Sequence, residues 1–172
     1  MSDVDDLRSE ISELRGRVEA AEAVSAIQNL KGTYAQLVDD RYSRGKVVED
    51  ARLDKAARGI AELFTEDGVW DGGKALGVST GREEIADRMR KPTLLFSWHY
   101  FLKPRIHVQG DRASARWDIL SPCTTKDGTP HWMCGFEDDE YQCVDGIWLH
   151  QRMKLTSVFL SPTDKGWQKI FY

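Results

Sequence analysis

The apolar runs of this sequence are no longer than a few residues, "LLF" at 94–96 being an example, whereas a bilayer-crossing helix needs about 20. No membrane-spanning segment is therefore expected. The opening "SDVDDLRSE" is acidic where a secretory signal would be basic and then apolar, which points to a cytoplasmic protein. Cysteine is scarce: Cys123, Cys134 and Cys143 are odd in number and match neither a disulfide framework nor a C-x-x-C metal or redox pattern. They read as reduced packing residues. Positive charge is also lacking, the net charge being −4, and phosphate contacts need a basic surface, so nucleic acid is not an expected partner. There is no G-x-G-x-x-G, no P-loop and no nucleophile elbow. His99 and His107 find no third close ligand, which excludes a convincing metal set, so neither a cofactor nor a metal is expected. Internal repeats and low-complexity segments are absent as well.

What the sequence does have is 172 residues, 41% of them hydrophobic, with six tryptophans. That suffices for one domain with a substantial core and not for two. The expected organisation is an N-terminal helical extension over 1–22 and one domain over 23–172. In "DDLRSEISELRGRVEA" the residues Leu7, Ile11, Leu14, Val18 and Ala21 alternate spacings of four and three, a heptad seam flanked by charge. Such a seam gives the chain a reason to associate as a homo-oligomer, a dimer or a trimer.

The helical pattern continues through Val24, Ile27, Leu30 and Leu37 and stops at Asp39-Asp40. "RYSRGKVVEDARLDKA" then reads as an exposed charged loop, "DKAARGIAELF" as a second helix over 54–64, "GVW" as a short strand and "GREEIADRMRK" as an amphipathic helix. From about residue 97 the period changes to two. "HYFLKPRIHVQ", "RASARWDILSP", "PHWMCGFEDDEYQCV" and "GIWLHQRMKLTSVFL" are strand-like, separated by "QGDR", "TKDGTP" and "VDG". Helices followed by a four-strand antiparallel meander define an α+β domain, and a twisted sheet curling around its helices would enclose a pocket.

The order "AIQNLKGTYAQLVDD", "ELFTEDGVW", "SWHYFLKPRIHV" and "EDDEYQCVDGIWLHQRMKL" resembles the SnoaL-like branch of the nuclear-transport-factor-like fold over roughly residues 20–168. The nearest group in that branch contains the bile-acid 7α-dehydratase, scytalone dehydratase and a hexachlorocyclohexane dehydrochlorinase. The resemblance implies a cone-shaped α+β barrel, a curved sheet wrapped around N-terminal helices, with an active site inside that works without cofactor. It matches Tyr34 and Asp39 to a tyrosine and an aspartate on the first helix, and His99 to the catalytic histidine. The dehydrochlorinase's last-strand arginine aligns with Met153, flanked here by Arg152 and Lys154, and a pocket aspartate of the bile-acid enzyme falls near Ser121. Strict alternation would place Arg152 and Lys154 on one face with His150 and Thr156, and Met153 and Leu155 on the other.

The chemistry this implies is proton transfer within a hydrophobic small molecule. An imidazole with a pKa near about 6.5 suits a base at neutral pH, so His99 is the expected base, oriented by Asp39, with the Tyr34 phenol polarising the substrate. Trp98, Trp117, Ile119 and Met153 are expected as pocket walls and His131 as a second polar contact. His107, His150, Arg152 and Lys154 read as a solvated or subunit-facing strand surface. The leading expectation is a dehydratase-type lyase acting on a cyclic or aromatic compound. A formaldehyde-releasing C–C lyase acting on a lignin-derived diaryl compound and an isomerase are variants using the same base. A non-catalytic binding or assembly module is the expectation of another class.

Overall fold

The computed structural model describes residues 3–164, so the last eight residues assigned to the domain from sequence lie outside the described residues. Helix α1 (Asp3–Asp39) is continuous through the extension and into the domain. Its first 20 residues are exposed, and burial begins at Ala23 and continues through Ile27, Leu30, Tyr34 and Val38, a spacing that keeps one stripe against the sheet. The chain then makes a miniature hairpin, β1 (Tyr42–Ser43) and β2 (Lys46–Val47), turning at Arg44 and Gly45, which both have positive φ.

Helix α2 (Asp50–Glu62) begins inside the segment expected to be a loop, because Leu53, Ala56, Ala57 and Ile60 already present an apolar face. Strand β3 (Phe64–Asp71) is longer than the three residues expected. After α3 (Gly73–Leu76), β4 (Val78–Thr80) and α4 (Gly81–Met89) come the paired elements of the domain's second half. These are β5 (Phe96–Ser97), β6 (Tyr100–Gln109), β7 (Arg112–Thr124), β8 (Pro130–Val144) and β9 (Ile147–Pro162). The last four form the expected antiparallel meander.

The large sheet runs β4-β3-β9-β8-β7-β5, with β6 also on β7, and β3 joins β9 in parallel. The concave face receives α1. On β7 alternation is regular, turning Ala113, Ala115, Trp117, Ile119, Ser121 and Cys123 inward. Two hydrophobic clusters fill the interior: one gathers Tyr34, Ile60, Phe64, Ile85 and Met153, the other Ile27, Leu30, Trp117 and Tyr141.

Strand β9 departs from alternation. Tyr141 pairs with His150 but Glu140 pairs with Arg152, so Gln151 is an extra residue, and a second shift at Val158 separates the Gly135–Ser157 and Cys134–Phe159 pairs. Each bulge reverses the facing of the residues beyond it. His150 therefore shares the inner side with Met153, and both are buried, at 0% and 1% exposure. The reading of His150 as a solvated or subunit-facing residue is corrected accordingly. Arg152 remains outside, bonded to Asp71 at 2.8 Å.

Candidate functional site

The edge strand opposite α1 is interrupted between β5 and β6, and His99 sits in the interruption. Ser97 pairs with Cys123 and Tyr100 with Leu120, so the register runs unbroken across the gap. The Trp98 N–H donates to the Pro122 carbonyl at 3.1 Å, but Pro122 has no N–H to return to Trp98. One ladder bond is therefore missing at this point of the edge. The next amide, that of His99, turns to the end of α1 and donates to both Asp39 carboxylate oxygens, at 3.1 and 3.3 Å. The imidazole Nδ1 lies 2.7 Å from Asp39 Oδ1.

With Asp39 accepting from Nδ1–H, the lone pair of the neutral ring resides on Nε2. Nε2 lies 3.2 Å from Ser97 Oγ, which lies 3.0 Å from Ser121 Oγ. The four groups form a hydrogen-bonded row, Asp39 to His99 to Ser97 to Ser121, whose last three members line a cavity of about 250 Å³ while Asp39 lies behind His99. Burial lowers the His99 pKa from its ordinary value, with Asp39 opposing the shift, so the free base dominates at neutral pH.

Tyr34 lies on α1 just over a turn before Asp39 and opens onto the same cavity. Its hydroxyl accepts a hydrogen bond from Trp70 Nε1 at 3.1 Å, leaving its own proton available to a ligand. Burial raises its pKa far above the ordinary value, so the phenol stays protonated. The rest of the lining is largely apolar, including Trp70, Leu76, Met89, Phe101, Ile119 and Leu155. The Phe101 ring is stacked on the His99 imidazole, 6.3 Å between centroids and 10° between planes.

Of the residues expected at the site, Asp39, His99, Tyr34 and Ile119 are brought together. Trp98 is not: alternation turns Ser97 and His99 inward and leaves Trp98 on the outer face, 42% exposed. Trp117 points inward but lies deeper, donating to the Tyr141 hydroxyl at 3.0 Å, and belongs to the core rather than the cavity wall. Met153 packs with Tyr34 in the other cluster and is likewise a core residue. His131 lies near the open end of β8, its Nδ1 3.0 Å from the Thr129 carbonyl oxygen, and does not reach the cavity.

Charged groups at and behind the cavity wall were missed. Arg41, expected in an exposed loop, is buried and lines the cavity, with Nε donating to the Val38 carbonyl at 3.0 Å and no carboxylate within 4 Å among the described residues. Lys31 is buried on the α1 stripe, donating to Glu137 and, at 2.8 Å, to Asp139. Glu137 also lines the cavity. Burial pushes the Glu137 carboxyl up to about 7 against the attraction of Lys31, and it raises Asp139 likewise. Burial alone would lower the Lys31 pKa, but the two carboxylates outweigh it and the value is raised. A sequence signal existed for this cluster: a lysine on the apolar stripe between Ile27 and Tyr34, and carboxylates at alternate positions of one strand. Among the described residues no group of three or more His, Cys, Asp or Glu side chains is arranged to hold a metal ion.

The fold is similar to that of a hexachlorocyclohexane dehydrochlorinase (LinA, type 2), at 19% identity and a TM-score of 0.71 over 85% of this chain and 92% of the other. A scytalone dehydratase-like protein of Novosphingobium aromaticivorans gives 19% identity and a TM-score of 0.67 over 83% and 89% of the two chains. An NTF2-like protein with a cystatin-like fold from the same organism gives 21% and 0.68 over 86% and 89%. No curated protein matches the sequence. The SnoaL-like domain model matches residues 19–154, a span that contains α1 from its first buried turns, most of the cavity lining and most of the sheet, and the chain belongs to the SnoaL-like family.

Proposed function

We propose that this protein is a cofactor-independent lyase that eliminates water from a hydrophobic cyclic or aromatic small molecule. The observation that carries the reading is the His99–Asp39 pair, bonded at 2.7 Å and opening onto a largely apolar cavity. His99 Nε2 takes a proton from the carbon next to the leaving hydroxyl, and the electron pair of that C–H bond forms the new double bond. The C–O bond breaks, and the imidazolium returns the same proton to the departing oxygen, releasing water. Asp39 holds the ring and stabilises its charged form between the two transfers. Tyr34 donates its hydrogen bond to the substrate oxygen on which negative charge grows, and Arg41 adds a fixed positive charge on the same wall. The names of the similar proteins, a dehydrochlorinase and a dehydratase-like protein, agree with elimination chemistry.

The same base serves two related reactions. Taking a hydroxyl proton instead of a carbon-bound one would let the neighbouring C–C bond break with release of formaldehyde, the electron pair of that bond taking the proton back from the His99 imidazolium, and returning the proton to a different carbon would give isomerisation. Aromatic walls from Trp70 and Phe101 suit an aryl substrate in either case. The test is a screen of ring alcohols and aryl-substituted diols, monitored by NMR, with wild type and His99→Ala side by side. Turnover lost in His99→Ala with an unchanged circular dichroism spectrum supports the base. Equal turnover in both proteins removes it, and saturable binding of screened compounds without turnover by the wild type favours a binding module.

A further inference from the structure

Five large apolar side chains stand in a row in solvent along the first five turns of α1. Val4, Leu7, Ile11, Leu14 and Val18 are each 47–56% exposed, and among the described residues every one from 3 to 22 is exposed, with Gly16, Glu19, Ala20 and Glu22 bordering a groove beside Val108 and Trp148. A helical segment of this length spans about 30 Å. An exposed apolar seam on it needs a cover, and its spacing and flanks specify one.

In heptad terms Val4, Ile11 and Val18 occupy the first core position and Leu7 and Leu14 the second. β-Branched residues at the first and leucine at the second favour two parallel strands over three. The residues bordering the seam agree. On one side lie Asp3, Glu10 and Arg17, and on the other Arg8, Arg15 and Glu22. In a parallel, in-register pair each residue of the first side meets the residue five positions later on the second strand. Asp3 then meets Arg8 of the partner subunit, Glu10 meets Arg15 of the partner subunit, and Arg17 meets Glu22 of the partner subunit. All three pairs are attractive, and symmetry doubles them. An antiparallel pair that layers Ile11 on Leu7 would instead set Glu10 against Glu10 and Arg8 against Arg8, leaving only Asp3 with Arg17 as an attractive contact.

Arg8 already lies 3.8 Å from Asp5 on its own helix, but both are well exposed, and such pairs contribute little. The nucleation cost that makes short isolated helices marginal is met elsewhere, because α1 is already fixed from Ala23 to Asp39 by burial in the domain. We infer that residues 3–22 form one strand of a parallel, two-stranded coiled coil with a second copy of this chain. The inference does not depend on the catalytic reading.

Sedimentation analysis of the full chain tests it. The expected mass is that of two chains, and Ile11→Asp combined with Leu14→Asp should give one chain with an unchanged thermal melt of the domain. A mass of one or three chains in the wild type overturns the proposal, as does a two-chain mass that survives the double substitution. Orientation is read separately with Leu7→Cys. Mild oxidation should give a reducible crosslinked dimer that the wild type, with its three native cysteines, does not give. Absence of that crosslink overturns the parallel register.

Discussion

Asp39 and His99, sixty residues apart, are joined by three hydrogen bonds: the carboxylate accepts the imidazole N–H at 2.7 Å and the His99 backbone N–H at 3.1 and 3.3 Å. One carboxylate thus fixes both the backbone and the ring of the proposed base. Asp39→Asn keeps the shape but removes the charge that stabilises the imidazolium. Turnover on any substrate found by the screen should fall about 10²–10⁴-fold. A fall of less than threefold in kcat would contradict the role given to Asp39.

Tyr34→Phe removes the proton offered to the substrate and leaves the ring packing in place. The Trp70 N–H loses its acceptor, a cost of about 1–3 kcal/mol in stability. If the phenol supports charge in the transition state, kcat falls about 10²–10³-fold with little change in KM. Equal kcat in steady-state assays of the two proteins would assign Tyr34 to the core alone.

His150 is buried among Phe64, Tyr141 and Tyr34, and neither ring nitrogen has a hydrogen-bond partner. Burial holds its pKa well below the ordinary value, and His99 is lowered too. Below about pH 6.5 the unfolded chain protonates these histidines while the folded chain resists it, so the two histidines contribute a loss of stability as pH drops from about 6.5, opposed by Glu137, whose raised carboxyl takes up a proton in the folded chain. His150→Phe removes one of these sites. Tm at pH 5.5 minus Tm at pH 7.5 should be more positive in the variant than in the wild type. An equal or more negative value in the variant would mean that His150 does not contribute to acid sensitivity.

Lys31 supplies the only positive partner shown for the buried Glu137 and Asp139 side chains among the described residues. Lys31→Met leaves two carboxyl groups in the interior without a counter-charge, and breaking a buried pair in this way costs about 3–5 kcal/mol. Urea unfolding at neutral pH measures it. A loss under about 1 kcal/mol would show that the carboxyl groups take up protons at no appreciable cost.

The α+β architecture was legible because its signals are local. Alternation and turn residues mark the four strands of the meander, and the polar pair Asp39-Asp40 marks the end of α1. The facing of β9 was not legible, since the bulges at Gln151 and Val158 arise from pairing with β8 and leave the composition of the strand unremarkable. That is why His150 was placed on the outer surface. Trp98 was misplaced for a different reason: an aromatic beside the histidine suggests a pocket wall, but a strand sends neighbours to opposite faces. Arg41 and Lys31 were overlooked because a charged residue reads as solvent-facing until the structure shows what surrounds it. Lys31 on the apolar stripe and the alternate spacing of Glu137 and Asp139 were the visible hints of a charged interior.

The proposed chemistry turns on whether His99 and Asp39 act as a pair in solution. NMR titration of the His99 imidazole in the wild type and in Asp39→Asn measures this directly. The expected result is a wild-type pKa below 6.5, lowered by burial, and a further fall of about one unit or more in Asp39→Asn, the scale of a lost close charge partner. Identical titration curves in the two proteins would contradict the pairing.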